Sequence, residues 1–187
     1  MTKRDAICET ALKLFAEKGI EATTTREIAE KAGAAEGTLY RHFDSKDDLA
    51  RWLYQRCTRR LEESLVEATA DTVTPAQRLE ALVRGVFEFY ASKPASCTYL
   101  LSSRQSGLGG EDEGGRAPPP LRLFTDALEE GIAQGTFRDT SASLVAGWIL
   151  AMVQQTVRSL KADALPMGSQ VAIDRTVDAS LRLAASA

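Results

Sequence analysis

Apolar residues recur along most of this chain at intervals of three and four, the period of a helix with one buried face. Ile7, Ala11, Leu14 and Phe15 form the first such stripe, and Gly19 closes it. Thr24, with Glu27 three residues on, has the spacing of a capping box and opens a short helix over residues 25–32, ended by Gly33. A third short helix falls over residues 36–43, because Ser45 followed by Asp48 starts another capped helix at once. That fourth helix carries the stripe Leu49, Trp52, Leu53, Cys57, Leu61 and Leu65. Thr74, Pro75 and Gln77 supply a cap, a first-turn proline and a reciprocal side chain for a fifth, whose buried face reads Leu79, Leu82, Val83, Val86, Phe87 and Tyr90. Pro94 separates it from a shorter piece over residues 96–103, and helices resume over 121–133, 141–161 and 168–185. Strand alternation is nearly absent, and all six prolines fall at helix edges or in loops. The fold class is all-α.

One segment breaks the pattern. Residues 107–115 hold five of the thirteen glycines with Glu111, Asp112 and Glu113, so residues 105–117 are expected to form a mobile loop.

Length and composition narrow the choices. At 187 residues, with 44% hydrophobic and 26% charged, the chain is an ordinary globular protein with enough apolar surface for a core. No stretch approaches the roughly 18–20 apolar residues of a membrane span, and the charged N-terminal run lacks a signal peptide's apolar core. Cys8, Cys57 and Cys97 are odd in number and widely spaced, which suits a reduced, cytoplasmic protein. A single histidine removes most metal sites and histidine-based catalytic sets, so no cofactor, no metal and no enzyme activity are expected. Residues 1–60 carry 12 Lys and Arg against 10 Asp and Glu, and the remainder 11 against 16. The slightly basic front end is compatible with nucleic-acid contact there.

Two short helices joined by a glycine-bearing turn and packed on a preceding helix form the helix-turn-helix pattern. Between Gly33 and Phe43, small residues stand where a backbone must approach a groove closely, and polar donors follow. Leu39 and Phe43 face inward with Ile28 and Phe15 as partners, leaving Tyr40, Arg41 and His42 available to phosphates. The same geometry also serves as plain scaffolding.

The run from Thr23 through Arg26, Ile28 and Ala29 to Gly33, then Gly37 to Phe43, then Lys46 and Leu49, closely resembles the N-terminal signature of the tetracycline-repressor family. The likeness extends upstream through Ala11, Leu12, Phe15 and Gly19, and covers about the first fifty residues. The resemblance implies a nine-helix, all-α homodimer, with a helix-turn-helix DNA-binding domain over residues 1–48 and a ligand-binding and dimerisation domain over 49–187. It implies a repressor on palindromic operator DNA that a small-molecule effector releases. Carried over by position, Thr24 and Thr25 present hydroxyls and helix amides to a phosphate, and Tyr40, His42 and Lys46 match backbone-contacting positions. Arg26 and the segment Ala35, Glu36, Gly37 and Thr38 match positions that reach base edges. Glu36 departs from the pattern, since a carboxylate in the groove repels phosphates yet can accept from cytosine N4.

Each position has a plainer alternative. His42 can be structural, Tyr40 partly core, and Glu36 a solvated face residue. Lys46 can be a solvated first-turn charge, but a lysine at a helix start is electrostatically unfavourable, and that misfit points to a partner. Cys97 is either a sensor thiol or a buried, inert one.

In the second half, Phe87, Tyr90, Tyr99, Phe124, Trp148 and Met152 are candidate lining for an apolar effector pocket, with Arg104 and Gln155 as polar groups to orient a ligand. No histidine follows His42, which excludes the magnesium-bound tetracycline arrangement. Leu144, Val145, Trp148, Ile149, Met152, Val153, Val157 and Leu160 make the eighth helix apolar over more than one face, so it is expected to be buried on two sides. With Ile173, Val177, Leu181 and Ala184 on the ninth, the last two helices are the expected dimer interface. The competing readings are an all-helical enzyme, for which the second half supplies no catalytic pair, and a helix-turn-helix module that binds another protein.

Overall fold

A computed structural model describes residues 2–103 and 119–185. Among these, the chain forms nine helices: α1 (Lys3–Lys18), α2 (Thr25–Lys31), α3 (Glu36–Tyr40), α4 (Lys46–Thr69), α5 (Pro75–Ser92), α6 (Pro94–Ser103), α7 (Pro119–Ala133), α8 (Ala142–Lys161) and α9 (Ser169–Ala184). The segment expected to be a mobile loop, and Arg104 with it, lies outside the described residues.

The described residues form two compact units. Residues 2–59 group with residues 93–103, and residues 60–92 with 119–185. The first unit therefore includes the front half of α4 and all of α6.

In the first unit, α1 and α6 pack together. Phe15 stacks on Tyr99 with ring centroids 5.8 Å apart, and the Tyr99 hydroxyl donates to the Ala50 carbonyl at 2.8 Å. Ile7, Leu14, Ile28, Leu39, Leu49 and Leu53 complete this core. Leu39, Phe43, Ile28 and Phe15 are buried as the pattern requires.

Helix boundaries follow the caps. The Thr2 hydroxyl and the Asp5 carboxylate cap α1 reciprocally, and Thr2 stands five residues before Ile7, the first apolar position of the stripe. Backbone and hydroxyl donation from Thr2 hold the Asp5 carboxyl below the usual range. The Thr74 hydroxyl accepts from the Gln77 amide, and Gln77 Oε1 accepts from the Thr74 amide, so the capping box before α5 forms in full. At α2 it forms by half. Thr24 accepts from the Glu27 amide, but the Glu27 carboxylate turns to Lys18 and Lys31. The third helix stops at Tyr40 rather than Phe43. Ser45 already accepts from the Asp48 amide to cap α4, and Asp48 accepts from the Asp44 amide, so residues 41–45 serve the next helix.

In the second unit, α5 packs on α7 and α9, and α8 packs on α7 and α9. Leu82, Phe87, Phe89, Phe124, Leu128, Ile149 and Val153 are buried there. Arg78 pairs with Glu130 between α5 and α7, and Arg84 with Asp174 between α5 and α9 at 2.8 Å. Gly131 is required by a close approach, since a Cβ there would sit 2.1 Å from the Phe137 ring. Among the described residues, no helix is long and apolar enough to cross a membrane.

Candidate nucleic-acid interface

The α2–α3 turn is set by Gly33, whose φ of +62° lies in the left-handed region that favours glycine. Lys3 Nζ donates to the Gly33 carbonyl at 2.8 Å, which ties the start of α1 to this turn. Arg4, one residue on, lies over the rings of Trp52 and Phe43 at 4.6 and 5.4 Å, and Arg56 lies over Trp52 at 5.2 Å. Such stacked cations join α1, the segment after α3 and α4.

Most of the candidate DNA contacts are accessible. Thr24, Arg26, Ala35, Glu36, Gly37, Tyr40 and His42 are exposed, and Thr25 and Thr38 are half-buried. Tyr40 is 51% exposed, too open for a core aromatic. Three of these residues are joined. The Thr25 hydroxyl donates to Glu36 Oε1 at 2.6 Å, and the Tyr40 hydroxyl lies 3.3 Å from Thr25 Oγ1. A carboxylate only accepts, so the Thr25 proton points to Glu36 and the Tyr40 hydroxyl is left as donor to Thr25.

Lys46 has partners inside the protein. Its Nζ donates to the carbonyls of Ile20, at 2.9 Å, and Thr23, at 3.1 Å. The electrostatic misfit of a lysine at a helix start is thus met by two backbone acceptors. Thr23 was not among the candidates, yet it is fully buried and its hydroxyl donates to the Gly19 carbonyl at 2.7 Å. Its neighbours Thr24 and Thr25 are the candidate contacts. A buried threonine beside two accessible ones has no distinct sequence signal.

The candidate pocket residues differ in burial. Tyr99 is core of the first unit, with its ring and hydroxyl both engaged. Phe87 and Phe124 are buried in the second unit, and Tyr90 and Met152 are half-buried. Trp148 and Gln155 lie on the open face of α8, and Trp148 is 48% exposed. The eighth helix is therefore buried on one side within the chain and keeps an apolar strip of Leu144 and Trp148 outside. Cys97 is free, and burial first, then the Cys57 thiol, push its pKa up to about 12. It stays protonated at neutral pH and lacks the thiolate a sensor needs.

Family models match both ends of this architecture. Residues 7–52 match the bacterial regulatory proteins of the tetR family, and residues 72–158 match the tetracyclin repressor-like C-terminal domain. The HTH-type transcriptional repressor KstR2 of Mycolicibacterium smegmatis is 32% identical over 173 residues, covering 86% of this chain and 80% of the relative. The chain belongs to the tetR family. It is a ligand-responsive transcriptional regulator of the repressor type rather than an enzyme. Among solved structures, the ketosteroid transcriptional regulator KstR2 of Mycobacterium tuberculosis is 26% identical with a TM-score of 0.77, over 100% of this chain and 96% of that one. A putative tetR-family regulator from Shewanella sp. PV-4 reaches a TM-score of 0.83 at 21% identity, with both chains fully covered, and shares the fold.

Proposed function

We propose that this regulator clamps a palindromic operator as a homodimer, with α3 of each protomer in a major groove, and that a small-molecule effector releases it. The observation that carries this reading is that Thr24, Arg26, Ala35, Glu36, Gly37, Tyr40 and His42 are exposed, Thr25 and Thr38 half-buried, and that Thr25 on α2 joins Glu36 and Tyr40 on α3. In a helix-turn-helix the second helix offers its first residues to base edges, which suits Glu36 and Thr38 on α3 to reading, while Arg26, at the start of α2, is a base reader by the family resemblance. The hydroxyls of Thr24, Thr25 and Tyr40 and the His42 ring suit phosphates, contacts that fix register without carrying sequence information. Lys46 acts from behind, holding the Ile20 and Thr23 carbonyls so that the threonines face outward.

The apolar strip on α8 supports the dimer. Leu144 and Trp148 are each about half exposed, as is Val171 on α9, and a second copy of the same helices would cover them. For the effector, Phe87, Tyr90, Phe124 and Met152 remain candidate contacts in the second unit. A relative is named as a ketosteroid regulator, which makes steroid-derived compounds the first to test.

Gel-shift titration of DNA flanking the gene, against unrelated duplex, tests the reading. Selective binding that a steroid-derived compound weakens supports it in full. Selective binding indifferent to every such compound removes that effector class. Equal binding to both duplexes removes the operator.

A further inference from the structure

We propose that Glu36 is a specificity-determining residue that accepts a hydrogen bond from the 4-amino group of a cytosine in each operator half-site. The inference rests on the DNA-binding reading and adds to it the base that one side chain selects.

Glu36 is the first residue of α3, preceded by Ala35, which contributes no side-chain cap. It stands among groups that suit phosphates, where an unpaired carboxylate opposes binding to any duplex. Glu27, on the preceding helix, is neutralised by Lys18 and Lys31. Glu36 forms no ion pair among the described residues. It is held instead by the Thr25 hydroxyl at 2.6 Å on Oε1, with Tyr40 behind Thr25 at 3.3 Å. That leaves Oε2 without a hydrogen-bond partner among the described residues. A free surface carboxylate samples many rotamers, whereas this one, on an exposed residue, has one oxygen held and the other unbonded among the described residues.

The chemistry of the grooves limits what such a group can read. In the major groove, cytosine presents a 4-amino donor and guanine presents only acceptors, so a carboxylate favours cytosine on the strand it faces. Adenine also offers an amino donor, but beside its N7 acceptor, which repels a second carboxylate oxygen. Glu36 thereby subtracts affinity from every sequence and returns it at one base, which raises discrimination more than strength.

The test measures binding of the full chain to its selected operator and to a panel with each half-site base pair replaced in turn. Parent, Glu36→Ala and Glu36→Gln are compared, with melting temperatures to establish that each variant is folded. The exposed position predicts unchanged melting. Glu36→Ala is expected to bind unrelated DNA more tightly and to lose roughly tenfold discrimination at one C·G pair per half-site, with the other positions unaffected. Glu36→Gln, which pairs with adenine N6 and N7, is expected to move the preference at that pair from C·G towards A·T. If both variants change affinity in parallel at every base pair, Glu36 is a solvated charge and the proposal fails while operator binding stands. If the parent shows no base preference anywhere, the DNA-binding reading itself fails.

Discussion

Lys46 Nζ lies 2.9 Å from the carbonyl oxygen of Ile20, a residue twenty-six positions earlier in the chain. With the Thr23 carbonyl at 3.1 Å it pins the turn that leads into Thr24 and Thr25 to the start of α4. A hydrogen bond from a charged group is worth about 1.5–3 kcal/mol when its partner is withdrawn from water, and less where solvent reaches it. Lys46→Ala is expected to destabilise the protein by about 1 kcal/mol and to weaken binding to operator and unrelated DNA alike. Arg26, exposed and at the α2 start, should behave differently. Arg26→Ala is expected to leave melting unchanged and to cost about 1–3 kcal/mol per half-site on the operator alone. Thermal melts with paired salt titrations separate the two. If Lys46→Ala melts like the parent while its salt slope falls by about 0.9 per half-site, the lysine is a phosphate contact instead.

Trp148→Glu is expected to convert a dimer into a folded monomer. The side chain is nearly half exposed within one chain, so a carboxylate there meets water in the monomer and apolar surface in the dimer. Sedimentation at micromolar concentration should show the halved mass, with helical circular dichroism retained. A variant that stays dimeric would remove α8 from the interface.

These positions also mark what the sequence discloses. The capping box of Thr74 and Gln77 was legible because both partners are side chains three residues apart, and it forms in full. The inward set of Leu39, Phe43 and Ile28 was legible because helical period alone selects the buried face. The partners of Lys46 were not, because they are backbone carbonyls, present at every residue and brought near only by the fold. Trp148 was read as pocket lining as well as interface, since an apolar residue on a helix apolar on two sides gives no sign of which neighbour it meets. Tyr99 was read as a lining candidate, and nothing in the sequence pointed to its hydroxyl's bond to the Ala50 carbonyl or its ring's stacking on Phe15, since both depend on the fold.

Thr58 is the one described residue whose buried side-chain oxygen lacks a hydrogen-bond partner. Other helical hydroxyls, at Thr69, Thr125, Thr156, Thr176 and Ser180, bond back to the carbonyl four residues earlier. Thr58→Val keeps the shape and removes the unmet polar group, so stability is expected to rise by about 1 kcal/mol. Thr58→Ser, which retains the hydroxyl, is expected to show no such gain. Denaturant unfolding checks this, and a destabilised valine variant would mean that the hydroxyl has a partner in solution.

The Glu27 carboxyl is held below the usual carboxylate range, chiefly by its hydrogen bond from Lys18 and then by Lys31. A depressed folded-state value contributes stability that is present above the unfolded carboxylate pKa and lost as pH falls through the folded one. Glu27→Gln is therefore expected to melt below the parent at pH 7, with the two melting temperatures converging below about pH 4. The difference at pH 7 should shrink with added salt, because the pairs are partly exposed. A gap that persists at low pH would assign the effect to something other than charge.

Footprinting of DNA flanking the gene checks whether the protein clamps a palindromic operator as a dimer. Two α3 helices presented by one dimer require two protected sequences related by two-fold symmetry, with centres about one helical turn apart, roughly 34–36 Å or modestly more. Such a pair is expected, protected at protein concentrations that leave unrelated DNA open, with both halves lost together in Trp148→Glu at those concentrations. A single unpaired protected site, or uniform protection along the whole duplex, would contradict it.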